Sequence, residues 1–464
     1  MVKVGVVGTG FAGLTHAAVT ALYGHNVIGY DVDSRKVEAF NSGEKSNIEK
    51  YVYEKGLSDI IKEQLASGRL SFTSDVSKLS DREVLFMCLP TPCLASGEAD
   101  TSYLLNASRA ICNMLNENPD HNFILFVNKS TVPIGTASML KNFLNEHGLK
   151  NFDVASNPEF LPEGDAVNSA VHSKKVVVGC NSKESFDLLR KVYSTFTGGG
   201  YIETNPETAE AIKYASNALL YSQIVAWQSI PGKISEAFPE VDFDLMKKGI
   251  AADDRIAKWG SYISAGSGGS CFKKDALSLA HQLMTHNTDS RFVTLINDIN
   301  EYNKNNLLDR AMVCGYSFSG KKIALLGVAF KQETNDIRES NALVVISRLL
   351  ELGVSEIRLY DPLALENARR EFDVNKNPAY SKITYHNSAS DALAGTDASY
   401  IATDHREFNT LGQTMLEHIK KPHLILDGRR RIQKSDAAHL LNNGVSYISV
   451  GGTYKKSVQS TLNV

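Results

Sequence analysis

The sequence predicts an α/β protein, with two doubly wound α/β domains joined by a long central helix and a helical middle domain. Three observations carry this. Short runs rich in Val, Ile and Leu alternate with helical stretches in the first part of the chain. From about Pro206 to Ala237 the helical spacing continues with no strand between. The alternation then returns after Cys314. The length of 464 residues agrees with two or three domains at about 150 residues each. The boundaries are read as 1–200, 201–313 and 314–464.

The elements follow in order. Lys3 to Val7 is a Val-rich strand. Phe11 to Tyr23 carries apolar residues at helical spacing, and Gly24 is a natural stop. Asn26 to Tyr30 is the second strand, and Val84 to Leu89, Phe123 to Val127 and Val176 to Val178 are further ones. Strands separated by helices argue for a parallel sheet covered on both faces. Pro231 is expected to kink or end the long helix, because proline lacks the N–H and crowds the preceding turn. In the last part, Lys322 to Leu326, Ile357 to Tyr360, Ser399 to Ala402 and His423 to Leu426 are strands, each followed directly by Gly, Asp or Thr. Both α/β halves have an opening strand and a second strand ending at an aspartate, Asp31 and Asp361. The tail from Lys455 to Val464 is expected to be loose.

Composition removes several function classes. Lys plus Arg is 49 and Asp plus Glu is 52, a formal net charge of −3. That argues against a general nucleic-acid or polybasic membrane role. Gly and Pro near average usage exclude a disordered or collagen-like chain. Cys88, Cys93, Cys112, Cys180, Cys271 and Cys314 form no CxxC pair, so neither a disulfide framework nor a metal site is expected, and a cytoplasmic compartment is. Val4 to Leu22 is apolar, but Thr9, Thr15 and His16 interrupt it. No run reaches the ~18–20 apolar residues of a spanning helix, so this stretch reads as the start of a folded domain.

Gly8-Thr9-Gly10-Phe11-Ala12-Gly13 fits GxGxxG directly after a strand and at the opening of a helix. In that Rossmann-like context Gly8 permits the tight turn, Gly10 lets backbone approach a pyrophosphate, and Gly13 allows close helix–strand packing. The helix N-terminus offers free N–H groups to phosphate. Asp31, 18 residues after Gly13, suits ribose hydroxyls and repels a 2′-phosphate, which favours NAD; Arg35 and Lys36 weaken that preference a little. A second Gly-rich place is Gly266-Ser267-Gly268-Gly269-Ser270-Cys271-Phe272-Lys273-Lys274-Asp275. A cysteine starting a helix beside lysines has a raised thiolate fraction. The segment alone is equally compatible with a small apolar residue packed in a turn.

Together with this Cys loop, Lys129 to Thr136 (KSTVPIGT), Ser156 to Gly164 (SNPEFLPEG), Gly327 to Lys331, Asp336 to Ser340, Tyr360 to Pro362 and Asp427 to Arg430 stand in one order. From residue 2 to about 452 the chain resembles the nucleotide-sugar 6-dehydrogenases, the UDP-glucose/GDP-mannose dehydrogenase family. The resemblance implies a four-electron oxidation of a sugar C6 alcohol to a carboxylate, with two NAD per turnover and UDP-glucose as the first substrate to consider. It implies Cys271 as nucleophile, through a thiohemiacetal and a thioester. Lys213 and Asn217, one helical turn apart, would stabilise the oxyanion and Asp275 would hold the proton acceptor. Glu159 would be the base for hydrolysis, with Thr131 positioning water and Glu163 assisting; on a helix the two glutamates would share a face.

It also implies cofactor contacts from Phe11, Ala12, Thr91, Pro92, Ser130, Thr131, Lys274 and Arg338, besides the Gly turn, Asp31 and Arg35. The substrate side would draw on Phe160, Leu161, Glu163, Lys213, Asn217, Gly268, Lys331 and Arg429. Arg255 would be donated to the neighbouring subunit of a homodimer or higher oligomer. Phe272 and Phe330 are read as nucleotide contacts or as core. Four places depart from the family pattern: Ser267 for the usual aromatic, Lys273 for the usual Pro, Pro162, and Thr403-Asp404-His405 for Thr-Glu-Trp. Other readings stay open. They are the same chemistry on a UDP-N-acetylhexosamine or GDP-mannose, a two-electron β-hydroxyacid dehydrogenase, and a non-catalytic nucleotide-binding relative.

Overall fold

A computed structural model describes residues 1–195, 199–256 and 258–457. The chain divides into two compact units, residues 1–217 with 274–290, and residues 218–273 with 291–464. The helical stretch 201–313 is divided between them.

The first unit is built on eight strands, β1 (Lys3–Val7), β2 (Asn26–Tyr30), β3 (Leu70–Thr73), β4 (Val84–Met87), β5 (Ile124–Asn128), β6 (Phe152–Ser156), β7 (Lys175–Gly179) and β8 (Gly200–Thr204). Their spatial order is β3-β2-β1-β4-β5-β6-β7-β8. All neighbours run parallel except β6 and β7, which meet antiparallel at Ser156 and Gly179. The order reverses between β1 and β4, and in doubly wound sheets the crevice at that switch holds the ligand. Every residue of β4 and β5 is buried, which is why both read as unbroken apolar runs rather than alternating ones.

The second unit carries β9 (Lys322–Leu326), β10 (Glu356–Tyr360), β11 (Ile383–Tyr385), β12 (Ala398–Ile401), β13 (His423–Asp427) and β14 (Val445–Ser449). All are parallel, in the order β11-β10-β9-β12-β13-β14. This is the winding of β1 to β6 repeated. The two aspartates that suggested a repeat do the same work in each unit. Asp31 accepts from the Thr9 N–H and hydroxyl at 3.0 and 2.8 Å. Asp361 accepts from the N–H groups of Val328 and Ala329 at 2.7 and 2.9 Å. Each ties the end of the second strand to the turn after the first. His405, in place of the family's Trp, adds a 3.1 Å contact to Asp361.

Five strands escaped the sequence reading: β3, β6, β8, β11 and β14. The first, third and fourth lie at or beside sheet edges and are short or exposed, so they lack an apolar run. In β6 the polar Asp153 is buried because Lys141, Ser182 and Ser185 donate to it. Pro231 does end the long helix, which spans Pro206–Ser229; a separate helix, Pro231–Ala237, starts with that proline in its first turn. There the missing N–H costs nothing. In the tail, Lys455 exchanges two backbone bonds with Tyr447, so the chain is held up to there; residues 458–464 lie outside the described residues. Among the described residues no helix is long and apolar enough to cross a membrane.

Candidate active site

The Gly turn follows β1 directly, and the helix Phe11–Leu22 begins at its end. Gly8 has φ +90°, a left-handed conformation that glycine adopts freely. A Cβ on Gly13 would lie 1.9 Å from the Gly8 carbonyl oxygen, whereas one on Gly10 would meet nothing within 4 Å. The packing of the protein therefore requires Gly13, and leaves the space over Gly10 for something else. This fits a pyrophosphate lying on the backbone. Two substitutions separate these demands. Gly13→Ala is expected to lower the melting temperature by many degrees. Gly10→Ala is expected to leave it within about 2 °C while weakening NAD binding at least about tenfold, because only the ligand's approach is blocked. Calorimetry and a fluorescence titration with NADH read the two effects.

Asp31 is buried, and its carboxyl is held below the usual range. Burial alone would raise it, but the N–H groups of Asp33 and Thr9, the Thr9 hydroxyl and Lys36 outweigh that. Arg35 is turned to Asp33 at 3.1 Å and is exposed. Thr91 donates to the Thr131 carbonyl at 2.8 Å and Ser130 to the Leu89 carbonyl at 2.6 Å. These bonds stitch the loop after β4, which includes the exposed Pro92, to the loop after β5.

Deeper in the same unit four side chains form two linked pairs. Lys213 and Asn217 stand one turn apart on the long helix and both are buried, so they do not belong to a solvated face. Lys213 Nζ donates to Glu159 Oε1 at 3.2 Å, and Asn217 Nδ2 donates to Asp275 Oδ2 at 2.6 Å. Lys274 Nζ donates to the other Asp275 oxygen at 2.5 Å. Burial by itself would push the Glu159 carboxyl up. The Lys213 ammonium, the Leu161 N–H at 2.5 Å and Lys129 outweigh it, so the carboxylate stays ionised below its ordinary pKa. The Phe160 ring lies under two ammonium groups, Lys175 at 3.8 Å and Lys213 at 5.2 Å from its centroid. Glu159, Phe160, Leu161, Lys129 and Lys175 line a cavity of about 680 Å³.

Glu159 and the half-buried Glu163 lie in an irregular loop after β6. The shared helical face considered from their spacing does not exist, because Pro158 and Pro162 interrupt the segment. Lys129 escaped the sequence reading. It is buried, donates to Asn157 Oδ1 at 2.8 Å and the Tyr193 hydroxyl at 3.2 Å, and burial together with Lys213 pushes its pKa down to about 8. A lysine beginning the KSTVPIGT segment was the one signal available; its burial depends on strands distant in sequence.

In the second unit Cys271 is exposed and directly precedes the helix Phe272–Thr285. The Ser270 hydroxyl lies 3.7 Å from its sulfur. Protein packs closely against the glycines of the loop. A Cβ on Gly268 would lie 2.6 Å from the Glu339 carbonyl oxygen, and one on Gly269 would lie 2.9 Å from the Phe330 ring. Phe330 is thus part of the wall behind the loop, and Phe272 stacks on Tyr221 with centroids 5.7 Å apart. Lys331 Nζ lies 5.5 Å from the Phe330 ring centroid.

Lys273, one of the departures, reaches Glu339 at 2.9 Å and Glu301 at 3.6 Å, while the buried Lys304 approaches the same two carboxylates. Lys273→Met is expected to lower stability by about 0.5–1 kcal/mol, the range of a half-exposed pair, and to slow alkylation of Cys271 by iodoacetamide, because a cation near the thiol is removed. Mass spectrometry of the alkylated peptide and thermal melting check this.

The remaining arginines are occupied within this chain. Arg429 donates to the carbonyls of Ala402 and Phe330 at 2.7 and 2.8 Å. Arg338 pairs with Asp336 at 2.6 Å. Arg255 pairs with Asp253 at 2.6 Å and is 89% exposed, so nothing in its own unit buries it.

Three models of one family match in chain order. They are the NAD binding domain over residues 2–197, the central domain over 207–302 and the UDP binding domain over 324–434 of the UDP-glucose/GDP-mannose dehydrogenase family. The chain is 30% identical over 460 residues to UDP-glucose 6-dehydrogenase TuaD of Bacillus subtilis (98% of this chain, 95% of the relative). It is 34% identical over 449 residues to a UDP-glucose 6-dehydrogenase of Rickettsia bellii (96% and 98%). The chain belongs to the UDP-glucose/GDP-mannose dehydrogenase family. Two solved structures of UDP-sugar enzymes are similar throughout. One is a UDP-glucose dehydrogenase from Pyrobaculum islandicum, at 29% identity and TM-score 0.86 over 97% of this chain and 98% of that one. The other is a UDP-D-ManNAc dehydrogenase from Pyrococcus horikoshii, at 26% and 0.80 over 97% and 99%. The family's NAD binding domain contains the Gly turn, Asp31, Lys129 and Glu159. Its central domain contains Lys213, Asn217, Cys271 and Asp275, and its UDP binding domain contains Phe330, Lys331, Arg338 and Arg429.

Proposed function

We propose that this protein oxidises the C6 alcohol of UDP-glucose to the carboxylate, giving UDP-glucuronate. NAD, when bound at the Gly turn, supplies the hydride acceptor, two per sugar. The first oxidation removes a proton and a hydride from the alcohol. Lys213 and Asn217 stabilise the developing oxyanion, and Asp275, held by Asn217 and Lys274, takes up the proton through a water. The Cys271 thiolate then adds to the aldehyde carbon, forming the C–S bond of a thiohemiacetal. Loss of a second hydride and of the hydroxyl proton gives the thioester. Water cleaves it to the carboxylate and free thiol, with Glu159 as general base, Thr131 positioning the water and Glu163 assisting.

The observation that carries this reading is the buried Lys213–Glu159 and Asn217–Asp275 pairing. Buried ionised groups are expensive without a use, and Glu159 held ionised is a base ready to act. Arg255, exposed and paired only locally, is read as a contribution to the sugar site of a second subunit. Exposed Leu219 on the long helix, and Phe292 and Leu295 on the helix Arg291–Val313, support a homodimer. A thiol nucleophile belongs in a reducing compartment, so the reading includes the cytoplasm.

A second reading keeps the chemistry on UDP-N-acetylmannosamine; the likeness to the Pyrococcus horikoshii enzyme supports it. A panel of nucleotide sugars with NADH absorbance decides. The proposal expects turnover of UDP-glucose with two NADH per sugar. One NADH per sugar with release of aldehyde would overturn the thioester route, and preference for another sugar would overturn the substrate.

A further inference from the structure

Glu210 is assigned no part in the chemistry above, yet it is a buried carboxylate of the first unit that accepts three hydrogen bonds. It is 3% exposed. Its Oε2 accepts from the Gly135 N–H at 2.7 Å. Its Oε1 accepts from the Ala137 N–H at 3.0 Å and from the Ser156 hydroxyl at 2.6 Å. These three donors belong to two segments, and Glu210 itself stands on a third. Gly135 ends the loop that carries Ser130 and Thr131 and leads into the helix Thr136–Glu146. Ser156 ends β6, three residues before Glu159. Lys213 is the next turn of the helix that carries Glu210. So one carboxylate joins the three segments that bear Thr131, Glu159 and Lys213.

Capping of the helix Thr136–Glu146 accounts for only part of this. A carboxylate at a helix N-terminus accepts the free N–H groups, which explains Gly135 and Ala137. It does not explain the Ser156 hydroxyl, which comes from the sheet. Glu207, one turn earlier, already serves the same helix by accepting from the Ser138 hydroxyl at 2.7 Å. A surface residue would cap a helix without the cost of burying a charge.

We propose that Glu210 is a positioning residue for the dehydrogenase reaction, holding the Thr131 loop and the Glu159 loop in register with the helix of Lys213. This rests on the function proposed above. The ionised carboxylate is the working form, since it accepts all three bonds. A proton on either oxygen adds a donor and weakens that oxygen as an acceptor for the N–H or hydroxyl that faces it. Burial pushes the Glu210 carboxyl up to about 7, against the Ser156 hydroxyl and the N–H groups of Gly135 and Ala137, with Glu207 adding to the rise. The other charged groups on the elements packed around it are Lys213 on its own helix, Glu146 at the far end of the helix Thr136–Glu146, and Lys141 and Asp153, which pair with each other at 2.8 Å. The hub therefore loosens as pH falls through about 7, and kcat falls with it.

The experiment uses the full-length protein and steady-state NADH formation between pH 5.5 and 9, with thermal melting alongside. Glu210→Gln keeps size but places an NH₂ against a backbone N–H. It is expected to lower kcat at least about tenfold with KM for sugar and NAD changed less than about threefold, since displaced catalytic groups cost rate rather than binding. The acid limb of the kcat profile near pH 7 should disappear. Ser156→Ala, which removes one bond and keeps the carboxylate, is expected to lower kcat about threefold and move the limb. Unchanged kcat and an unmoved acid limb in a folded Glu210→Gln would overturn the role and leave a helix cap. If that variant does not fold, an unchanged profile in Ser156→Ala overturns it equally. Inactivity of the natural sequence on every nucleotide sugar would instead overturn the proposed function, and is seen before any variant is compared.

Discussion

Replacement of Cys271 by alanine is expected to lower uronate formation from UDP-glucose by at least about 10³-fold, because the second oxidation has no covalent adduct to work on. NAD affinity should be unchanged, since the Gly turn and Asp31 belong to the other compact unit. Stability should move by less than about 0.5 kcal/mol, the usual range for exposed positions, because Cys271 is exposed and leaves no core cavity. This last expectation separates the two readings of the loop. A cysteine that merely filled a packed turn would cost stability on truncation and leave turnover intact. Normal turnover in Cys271→Ala, measured with a fluorescence titration of NADH and a melting curve, would sink the nucleophile.

Lys213→Ala is expected to be costly on two counts. It removes the cation 3.2 Å from Glu159 where both side chains are largely buried, and a buried carboxylate stripped of its partner costs about 3–5 kcal/mol. It also removes a donor to the oxyanion, with a loss of about 10²–10³ in kcat. The pH signature follows from the direction of the Glu159 shift. In the natural protein Lys213 and its neighbours hold the Glu159 pKa below its ordinary value. Its stabilising contribution is therefore present above the unfolded pKa and lost as pH falls through the folded one. Without Lys213 the carboxyl rises, so the variant's stability deficit should shrink toward acid pH. The acid limb of any residual activity should move up. Equal deficits from pH 4 to 8 would show that Glu159 does not depend on this cation.

The legible parts of this protein are those decided locally. β1, the Gly turn, the helix Phe11–Leu22 and β2 follow one another in the chain, and the Gly8 turn and the Gly13–Gly8 contact lie within that run, so both strands and the roles of Gly8 and Gly13 were readable. The repeated strand-then-aspartate pattern announced the second α/β unit for the same reason. Cys271 was readable as the residue that opens a helix, a matter of sequence position.

What depended on distant chain was not. Asp153 makes β6 look unlike a strand until Lys141, Ser182 and Ser185 surround it. Lys129 looks like a surface lysine until the β-sheet buries it beside Glu159 and Tyr193. That the glycines at 268 and 269 are also needed for packing is visible only once Phe330 and Glu339 stand against them.

The sequence by itself determined the two windings and the cofactor turn. It could do so because turn geometry, helix periodicity and strand runs are set by residues a few positions apart. Tertiary structure alone decided which carboxylate each of Lys213 and Asn217 would meet, which glycines serve packing, and that Glu210 would gather three segments. Those outcomes depend on desolvation and on contacts between parts of the chain up to 75 residues apart, and no local pattern encodes either.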